Sequence, residues 1–308
     1  MQRNLHSVLK AFSSSLARGK AFPFICLFAF ITLQGFATQD PAGKECSFRK
    51  DDRGQLRASY LSDLPDQLTY LKIDQGFSKG LLFDQKMSNL YYDGPGGILS
   101  FAIHRRSATH ISEWHLARAT FQYSRPHHES TLLYNFSGGT RFVYLRRLEP
   151  RGAFRFYGGG QVDLTSDFRV IPAMGNSSLF ANAMGSLQPR VDISYALLMF
   201  DREWNFDFSL AASLIGYNMG FPDYGSSYRI GDDGGISLQN FESFLTHPGN
   251  TAQISSGIFY RHSFGNEYNP NWCRIGYNWD YLRVNGNHDL RLYNVRHQLV
   301  LELYFLLN

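Results

Sequence analysis

Two short histidine clusters carry the residue types used in acid–base and nucleophilic catalysis. The first is His127-His128-Glu129-Ser130, and the second is His288-Asp289. A histidine beside a carboxylate can take a proton from water or from a serine hydroxyl, which is the chemistry of hydrolysis. The same residue types are ordinary components of solvated turns. The sequence therefore offers His288 and Asp289 as weak catalytic candidates and favours a simple turn for 127–130.

Two adjacent carboxylates are the corresponding candidates for binding a metal. Asp232 and Asp233 lie between glycines at 231–235 and could supply oxygen ligands to Ca²⁺. The further ligands that an EF-hand loop supplies at fixed spacing are missing. A turn is the better interpretation, and we expect no bound metal and no cofactor.

Period-2 alternation of apolar and polar residues recurs along the chain. In the segment 204–217, Phe206 and Phe208 share one face, whereas Asp207 lies on the other. Only the short link 201–203 separates this segment from another alternating one, which indicates a β-hairpin. Charged side chains therefore lie on one face of amphipathic strands.

The N-terminus has the three parts of a secretory signal. Residues 1–20 contain four basic residues and no acid, an apolar stretch follows over 21–33, and small residues lie at Gly35 and Ala37. The apolar stretch is too short to span a membrane comfortably, since about 20 residues are needed. The sequence thus predicts three parts: a signal peptide at 1–37, a polar periplasmic segment at 38–65 and the main domain at 66–308.

Charge argues against a nucleic-acid partner. The chain has 30 Lys and Arg against 26 Asp and Glu, and the predicted signal removes four basic residues, which leaves 26 of each. No basic excess remains to neutralise phosphates. Two cysteines remain after the signal, Cys46 and Cys273; they could form a disulfide in an oxidising compartment or could both be free thiols.

The alternating segments favour a membrane barrel over a soluble sheet. After the signal there is no run of 18 apolar residues, and the alternating segments are separated by Gly, Asn, Asp and Pro. A soluble antiparallel sheet with one wet face also alternates. The 16% content of aromatic residues, with Tyr and Trp near strand ends, instead favours interfacial girdles. We predict an all-β, antiparallel transmembrane β-barrel of about ten strands, or twelve if residues 66–92 add a pair.

The predicted strands imply a topology. The clearest lie near 190–199, 204–217, 273–282 and 299–307, and the others near 97–106, 114–124, 130–137, 140–148, 153–165 and 252–264. Short turns of such barrels face the periplasm and long loops face outward. Ten strands place 125–129, 149–152 and 201–203 in the periplasm and the longer connections 166–186, 218–251 and 285–293 outside. His288 then lies in an outer loop, and the His127 cluster lies in a periplasmic turn.

The chain resembles outer-membrane barrels of similar length from Bacteroidota-type bacteria. The resemblance rests on the signal, the strand hairpins and the closing strand, in which Leu299, Leu301 and Leu303 alternate with polar residues. It covers most of residues 90–308 and concerns the fold class alone. It implies an outer-membrane location, with membrane lipid and the barrel-insertion machinery as partners, and it transfers no active site.

If the apolar faces contact lipid, the opposite faces line the lumen. They carry six arginines and five acids: Arg106, Arg118, Arg155, Asp163, Arg190, Asp192, Asp207, Arg261, Arg274, Asp280 and Glu302. Paired guanidinium and carboxylate groups can fill a narrow barrel with a hydrogen-bonded plug. The alternative is a constricted polar channel or a binding cavity lined by the same residues.

The sequence is compatible with three functions. The first is a small polar pore or binding barrel for an unknown solute, with Arg and Asp/Glu along the lumen. The second is an outer-membrane hydrolase that acts on lipid or peptide near His288. The third is a structural subunit whose unknown protein partner covers the outer loops or the periplasmic segment. The sequence does not favour an enzyme.

Overall fold

The described part of the chain forms fourteen strands. A computed structural model describes residues 67–85, 89–107, 109–126, 131–148, 154–173, 179–199, 202–220, 228–230, 236–238, 242–264, 270–285 and 291–307. The predicted signal at 1–37 and the segment at 38–65, with Cys46, lie outside these residues. The strands are β1 (Gln67–Asp84), β2 (Tyr91–Ser107), β3 (His110–Pro126), β4 (Leu133–Arg147), β5 (Phe154–Val170), β6 (Leu179–Met199), β7 (Arg202–Ala212), β8 (Ile215–Gly220), β9 (Tyr228–Ile230), β10 (Ile236–Leu238), β11 (Glu242–Thr246), β12 (Thr251–Ser263), β13 (Trp272–Asn285) and β14 (Arg291–Leu307).

Ten of these strands close into an antiparallel barrel. Consecutive strands pair from β1 to β7, then β7 pairs with β12, β12 with β13 and β13 with β14, and β14 returns to β1. The short strands β8 and β11 extend β7 and β12 towards one end, where β8 pairs with β6 and β11. Each of the ten barrel strands therefore has a partner on both sides, which is what a strand-built membrane protein requires. The predicted fold class is therefore confirmed.

The predicted strand positions need three corrections. The predicted outer loop 166–186 is mostly strand, because β5 ends at Val170 and β6 begins at Leu179. Residues 130–137 and 140–148, predicted as two strands, form the single strand β4, and 67–84 supplies β1. The Gly138-Gly139 pair suggested a turn, but Gly139 lies inside the sheet. A Cβ at Gly139 would lie 2.1 Å from the backbone oxygen of Leu164, so glycine here allows close strand pairing.

The two ends of the barrel differ in their connections. One end, here called the turn end, has the connections 108–109, 148–153, 200–201 and 264–271, whereas the loop end has 85–90, 127–132, 171–178, 221–241 and 286–290. Longer loops of outer-membrane barrels lie outside the cell, so we assign the loop end to the exterior. Because β4 is one strand, the connection that holds His127 lies at the loop end, and its predicted periplasmic position is wrong.

The outer face of the barrel is apolar and the inner face is polar. The outward residues of β5 include Val162, Leu164 and Phe168, which are about half exposed, whereas the inward residues Asp163 and Asp167 are buried. Aromatic residues such as Trp114 and Tyr144 lie outward near the turn end. An apolar belt with aromatic borders around a polar interior is the pattern of a barrel immersed in lipid. None of the described residues forms a helix long and apolar enough to cross a membrane.

Candidate functional site

The most concentrated chemistry lies inside the barrel, on inward positions of β1, β2, β3, β13 and β14. We call this group the charged layer: Lys72, Asp74, His104, Glu113, His115, Arg274 and Glu302. Strand alternation places each of them inward, and all except Arg274 are buried. Three acids and two permanent cations in one water-poor space must be paired to be stable.

Lys72 is the centre of this layer. Its Nζ atom lies 3.0 Å from Glu113 Oε1, 3.3 Å from Glu302 Oε1 and 3.4 Å from Asp74 Oδ2. The Lys72 side chain is 3% exposed. One ammonium group thus joins three strands, β1, β3 and β14, through three carboxylates.

A hydrogen-bonded chain of serine, histidine and glutamate runs beside Lys72. Ser100 Oγ and His115 Nδ1 are 2.8 Å apart, His115 Nε2 and Glu113 Oε1 are 2.6 Å apart, and Glu113 Oε2 and His104 Nδ1 are 2.8 Å apart. Ser, His and an acid in this order are the parts of a nucleophilic triad. Ser100 is only 1% exposed, however, and a substrate carbonyl has no space beside its hydroxyl. The chain of hydrogen bonds therefore satisfies buried polar groups.

This interpretation predicts the outcome of active-site labelling. A fluorophosphonate, which modifies activated serine nucleophiles, is expected to leave the folded barrel unlabelled at Ser100, because the hydroxyl is enclosed. Mass spectrometry of the treated protein measures this directly. Labelling that disappears in the Ser100→Ala variant would show instead that the triad is accessible and reactive.

Further ion pairs extend the polar interior on both sides of the charged layer. Arg274 pairs with Glu302, and its Nη1 lies 3.7 Å from Asp207 Oδ2; Arg261 approaches the other oxygen of Asp207 at 3.6 Å. Towards the loop end, Arg118 Nη2 donates to Asp280 Oδ2 at 3.4 Å. Each of these contacts joins side chains from different strands.

Some of the pairs cross the lumen. Arg169 on β5 donates to Asp84 on β1 at 2.5 Å. Arg296 on β14 donates to Ser137 on β4 at 2.9 Å. Strands β5 and β1, or β14 and β4, are not neighbours in the barrel. These bonds therefore run through the interior and fill it.

The sequence-predicted lumen residues lie in this network or beside it. Arg118, Asp163 and Asp280 are linked, Arg190 pairs with Asp192 at 2.8 Å, and Asp207, Arg261, Arg274 and Glu302 are linked through the pairs above. Arg106 lines a cavity together with Asp207 and Arg261. Arg155 is the register partner of Ser194, whose hydroxyl donates to Asp207, so both positions face inward.

Several interior residues escaped sequence reasoning. Lys72 and Asp74 were missed because β1 was not assigned as a single strand. Glu113 and His115 were missed because β3 has a bulge between His115 and Arg118, so that strict alternation from Arg118 places His115 outward. Period-2 alternation cannot predict that these residues face inward, because the bulge shifts the alternation by one residue.

The other candidate residues lie outside the described part of the chain. His288 and Asp289 belong to the connection 286–290, and Asp232 and Asp233 belong to the connection 221–241. The connection with His127 and the connection with His288 share the loop end. Within the described residues, no group of three or more His, Cys, Asp or Glu side chains has the arrangement of a metal site.

Apolar side chains occupy the interior near both ends. We call Leu82, Tyr92, Leu133, Ile171, Val284 and Leu292 the roof; they form one buried cluster at the loop end. We call Tyr70, Trp272 and Tyr304 the floor; the Trp272 and Tyr304 rings are stacked with centroids 3.4 Å apart at the turn end. The roof residues come from β1, β2, β4, β13 and β14 and from Ile171, which directly follows β5. Because β5 and β13 are not neighbours in the barrel, the roof crosses the lumen.

Small cavities lie among the described interior side chains. Three interior cavities measure about 70, 60 and 40 Å³. One water needs roughly 10–15 Å³ on this scale, so each cavity holds a few waters. Buried polar atoms without a protein partner, including Asn294 Oδ1 and both amide atoms of Gln298, are suited to bonding such waters.

These features define the class of protein. A closed antiparallel barrel with an apolar outer belt and a polar, filled interior is an integral outer-membrane β-barrel of a Gram-negative bacterium. Its location is the outer membrane, as predicted from the sequence.

The chain is similar in fold to solved outer-membrane barrels. The outer membrane protease OmpT from Escherichia coli has a TM-score of 0.38 and 9% identity, covering 80% of this chain and 99% of OmpT. Neisserial surface protein A has a TM-score of 0.30 and 11% identity, covering 77% and 97% of the two chains. The toluene transporter TodX from P. putida has a TM-score of 0.25 and 8% identity, covering 82% and 94%. Likeness at this level carries no argument about activity. No protein-family model and no curated protein sequence matches the chain.

Proposed function

We propose that this protein is a closed outer-membrane barrel that passes no solute and works through its loop-end surface. The observation that carries the proposal is that the roof and the cross-lumen bonds of Arg169 and Arg296 span the lumen, above the floor on β13, β14 and β1. A ten-stranded barrel is only slightly wider than the eight-stranded kind that side chains can fill, whereas porins use 16–18 strands. The lumen residues predicted from the sequence then form a structural plug.

The proposal favours the third predicted function, a structural subunit with a protein partner, over the first, a polar pore. Its support is the distribution of loop length: the longest connection, 221–241, lies at the loop end and contains the β9–β10 hairpin. Loops on a rigid scaffold commonly carry binding residues. A hydrolase site at His288 would also lie on this surface. The narrower likeness to Bacteroidota-type barrels remains a prediction, since the similar structures come from other Gram-negative bacteria.

Single-channel recording in a planar bilayer tests the proposal. The folded protein is expected to give no reproducible conductance steps, because the roof and the ion pairs below it block the axis. A double variant of the roof, Leu82→Ser with Leu133→Ser, is expected to stay silent too, since the Arg169–Asp84 pair lies at the level of the roof and the charged layer lies below it. A porin reconstituted in parallel is the positive control. Reproducible steps from the unmodified protein would contradict the proposal and support the polar pore.

A further inference from the structure

The outer wall of the barrel is chemically asymmetric near the loop end. Outward Lys, Arg and Asp residues of the loop-end half lie on five adjacent strands, β13, β14, β1, β2 and β3: Lys79, Asp93, Arg125, Arg283 and Arg291. At the same end, the described outward positions of β4, β5, β6, β8, β11 and β12 are uncharged, with Phe168, Tyr217 and Leu245 as examples. One side of the wall is thus basic and the other apolar.

Aromatic rings lie between these charges and support them. Phe83 stacks on Tyr91 with centroids 4.7 Å apart and contacts Tyr293 at 5.9 Å. The guanidinium of Arg283 lies over the Tyr293 ring at 5.9 Å. On the other flank, Arg125 lies 5.4 Å from the Tyr123 ring centroid and donates to its hydroxyl at 2.6 Å. Such contacts hold the guanidinium groups flat against the wall.

Among the described residues, this surface has four basic residues and one acid. The single acid, Asp93, has Lys79 Nζ at 4.0 Å, and the Lys79 side chain is 74% exposed. A long, exposed pair of this kind is weak. Most of the positive charge therefore remains available to a ligand.

We propose that this basic surface binds phosphate-bearing lipid headgroups of the outer leaflet. Outward residues of a membrane barrel face lipid, and aromatic and basic side chains at the edge of the apolar belt lie at headgroup level. Guanidinium groups bind phosphate oxygens through paired, charge-assisted hydrogen bonds. The aromatic rings between the charges offer flat faces to the apolar part of the headgroup region.

The spacing of the charges indicates two phosphate positions. Arg125 on β3 and Arg283 on β13 are four strands apart, or roughly 19 Å along the wall at about 4.8 Å per strand. A single phosphate cannot reach both. One position belongs to Lys79 and Arg125, and the other belongs to Arg283 and Arg291, with the Phe83–Tyr91–Tyr293 rings between them.

Native mass spectrometry of the folded full chain in detergent tests this site with dihexanoyl phosphatidic acid as the probe. Two bound molecules per barrel are expected. The variants Lys79→Gln/Arg125→Gln and Arg283→Gln/Arg291→Gln are each expected to weaken one site about tenfold. The control Arg105→Gln/Arg146→Gln removes two outward, exposed arginines near the turn end and is expected to leave both sites unchanged. Asp93→Asn, which removes the acid described on this surface, is expected to strengthen binding about threefold.

Two comparisons identify the ligand class. Dihexanoyl phosphatidylcholine, with the same chains but no net charge, is expected to bind at least about tenfold more weakly, and inorganic phosphate is expected to compete poorly. The proposal is overturned if both double variants bind like the unmodified chain or if the control loses binding equally. Competition by inorganic phosphate at the lipid's own concentration would also overturn it, because the site would then bind free anions.

Discussion

Replacing Lys72 by methionine is expected to destabilise the folded barrel by about 3–5 kcal/mol. Methionine keeps most of the side-chain volume but removes the only ammonium group that contacts Asp74, Glu113 and Glu302 together. Three carboxylates would then share a buried space with Arg274 as the remaining permanent cation of the charged layer. The measurement is equilibrium unfolding by urea in detergent micelles, followed by intrinsic fluorescence.

Lys79→Met is the matched control for this prediction. Lys79 lies on the same strand, faces outward and is largely exposed, so its replacement is expected to change stability by less than about 1 kcal/mol. Adding Glu113→Gln to Lys72→Met is expected to recover part of the lost stability, since one carboxylate disappears. Equal effects of the two lysine variants would mean that the charged layer is not paired as described.

Arg169→Met is expected to produce the second large loss, again about 3–5 kcal/mol. The Arg169 side chain is fully buried, donates to Asp84 across the lumen at 2.5 Å and lies 5.1 Å from the Phe180 ring. Without Arg169, the buried carboxylate of Asp84 loses its guanidinium partner, and the bond between β5 and β1 is lost. Unfolding in urea measures this loss as well.

A double-mutant cycle separates the ion pair from the packing of Arg169. Asp84→Asn in the Arg169→Met background is expected to cost less than Asp84→Asn alone, with a coupling of at least about 1 kcal/mol. Arg105→Met, an exposed outward arginine, serves as the control with little expected change. Strict additivity of Arg169→Met and Asp84→Asn would contradict a direct cross-lumen pair.

Period-2 alternation was sufficient to predict the fold class. The segment around Phe206 and Phe208 and the closing strand around Leu299 alternate cleanly because one face meets lipid and the other meets polar side chains. The strand boundaries were less certain where glycine occurs. Gly138 and Gly139 suggest a turn in isolation, and only the neighbouring strand β5 shows why a side chain is excluded at Gly139.

The interior site was only partly predictable. Arg190, Asp207 and Arg274 lie on regular strands, and alternation alone places them inward. Glu113 and His115 precede a bulge, which shifts the alternation. Lys72 lies on β1, where polar residues on the outward face, such as Gln75 and Lys79, interrupt the apolar pattern that would identify a strand. Pairing across the lumen, as between Arg169 and Asp84, depends on closure of the barrel and has no local sequence signal.

Thiol accessibility at position 209 tests most directly whether the interior is sealed from both ends. Ser209 lines the two cavities beside the charged layer. The variant Ser209→Cys, with Cys26→Ser, Cys46→Ser and Cys273→Ser, is reconstituted in lipid vesicles and treated with a charged thiosulfonate on either side. No modification is predicted on the timescale that fully labels Ser243→Cys, an exposed position near the loop end. Modification at a comparable rate from either side would contradict a sealed barrel and restore the pore.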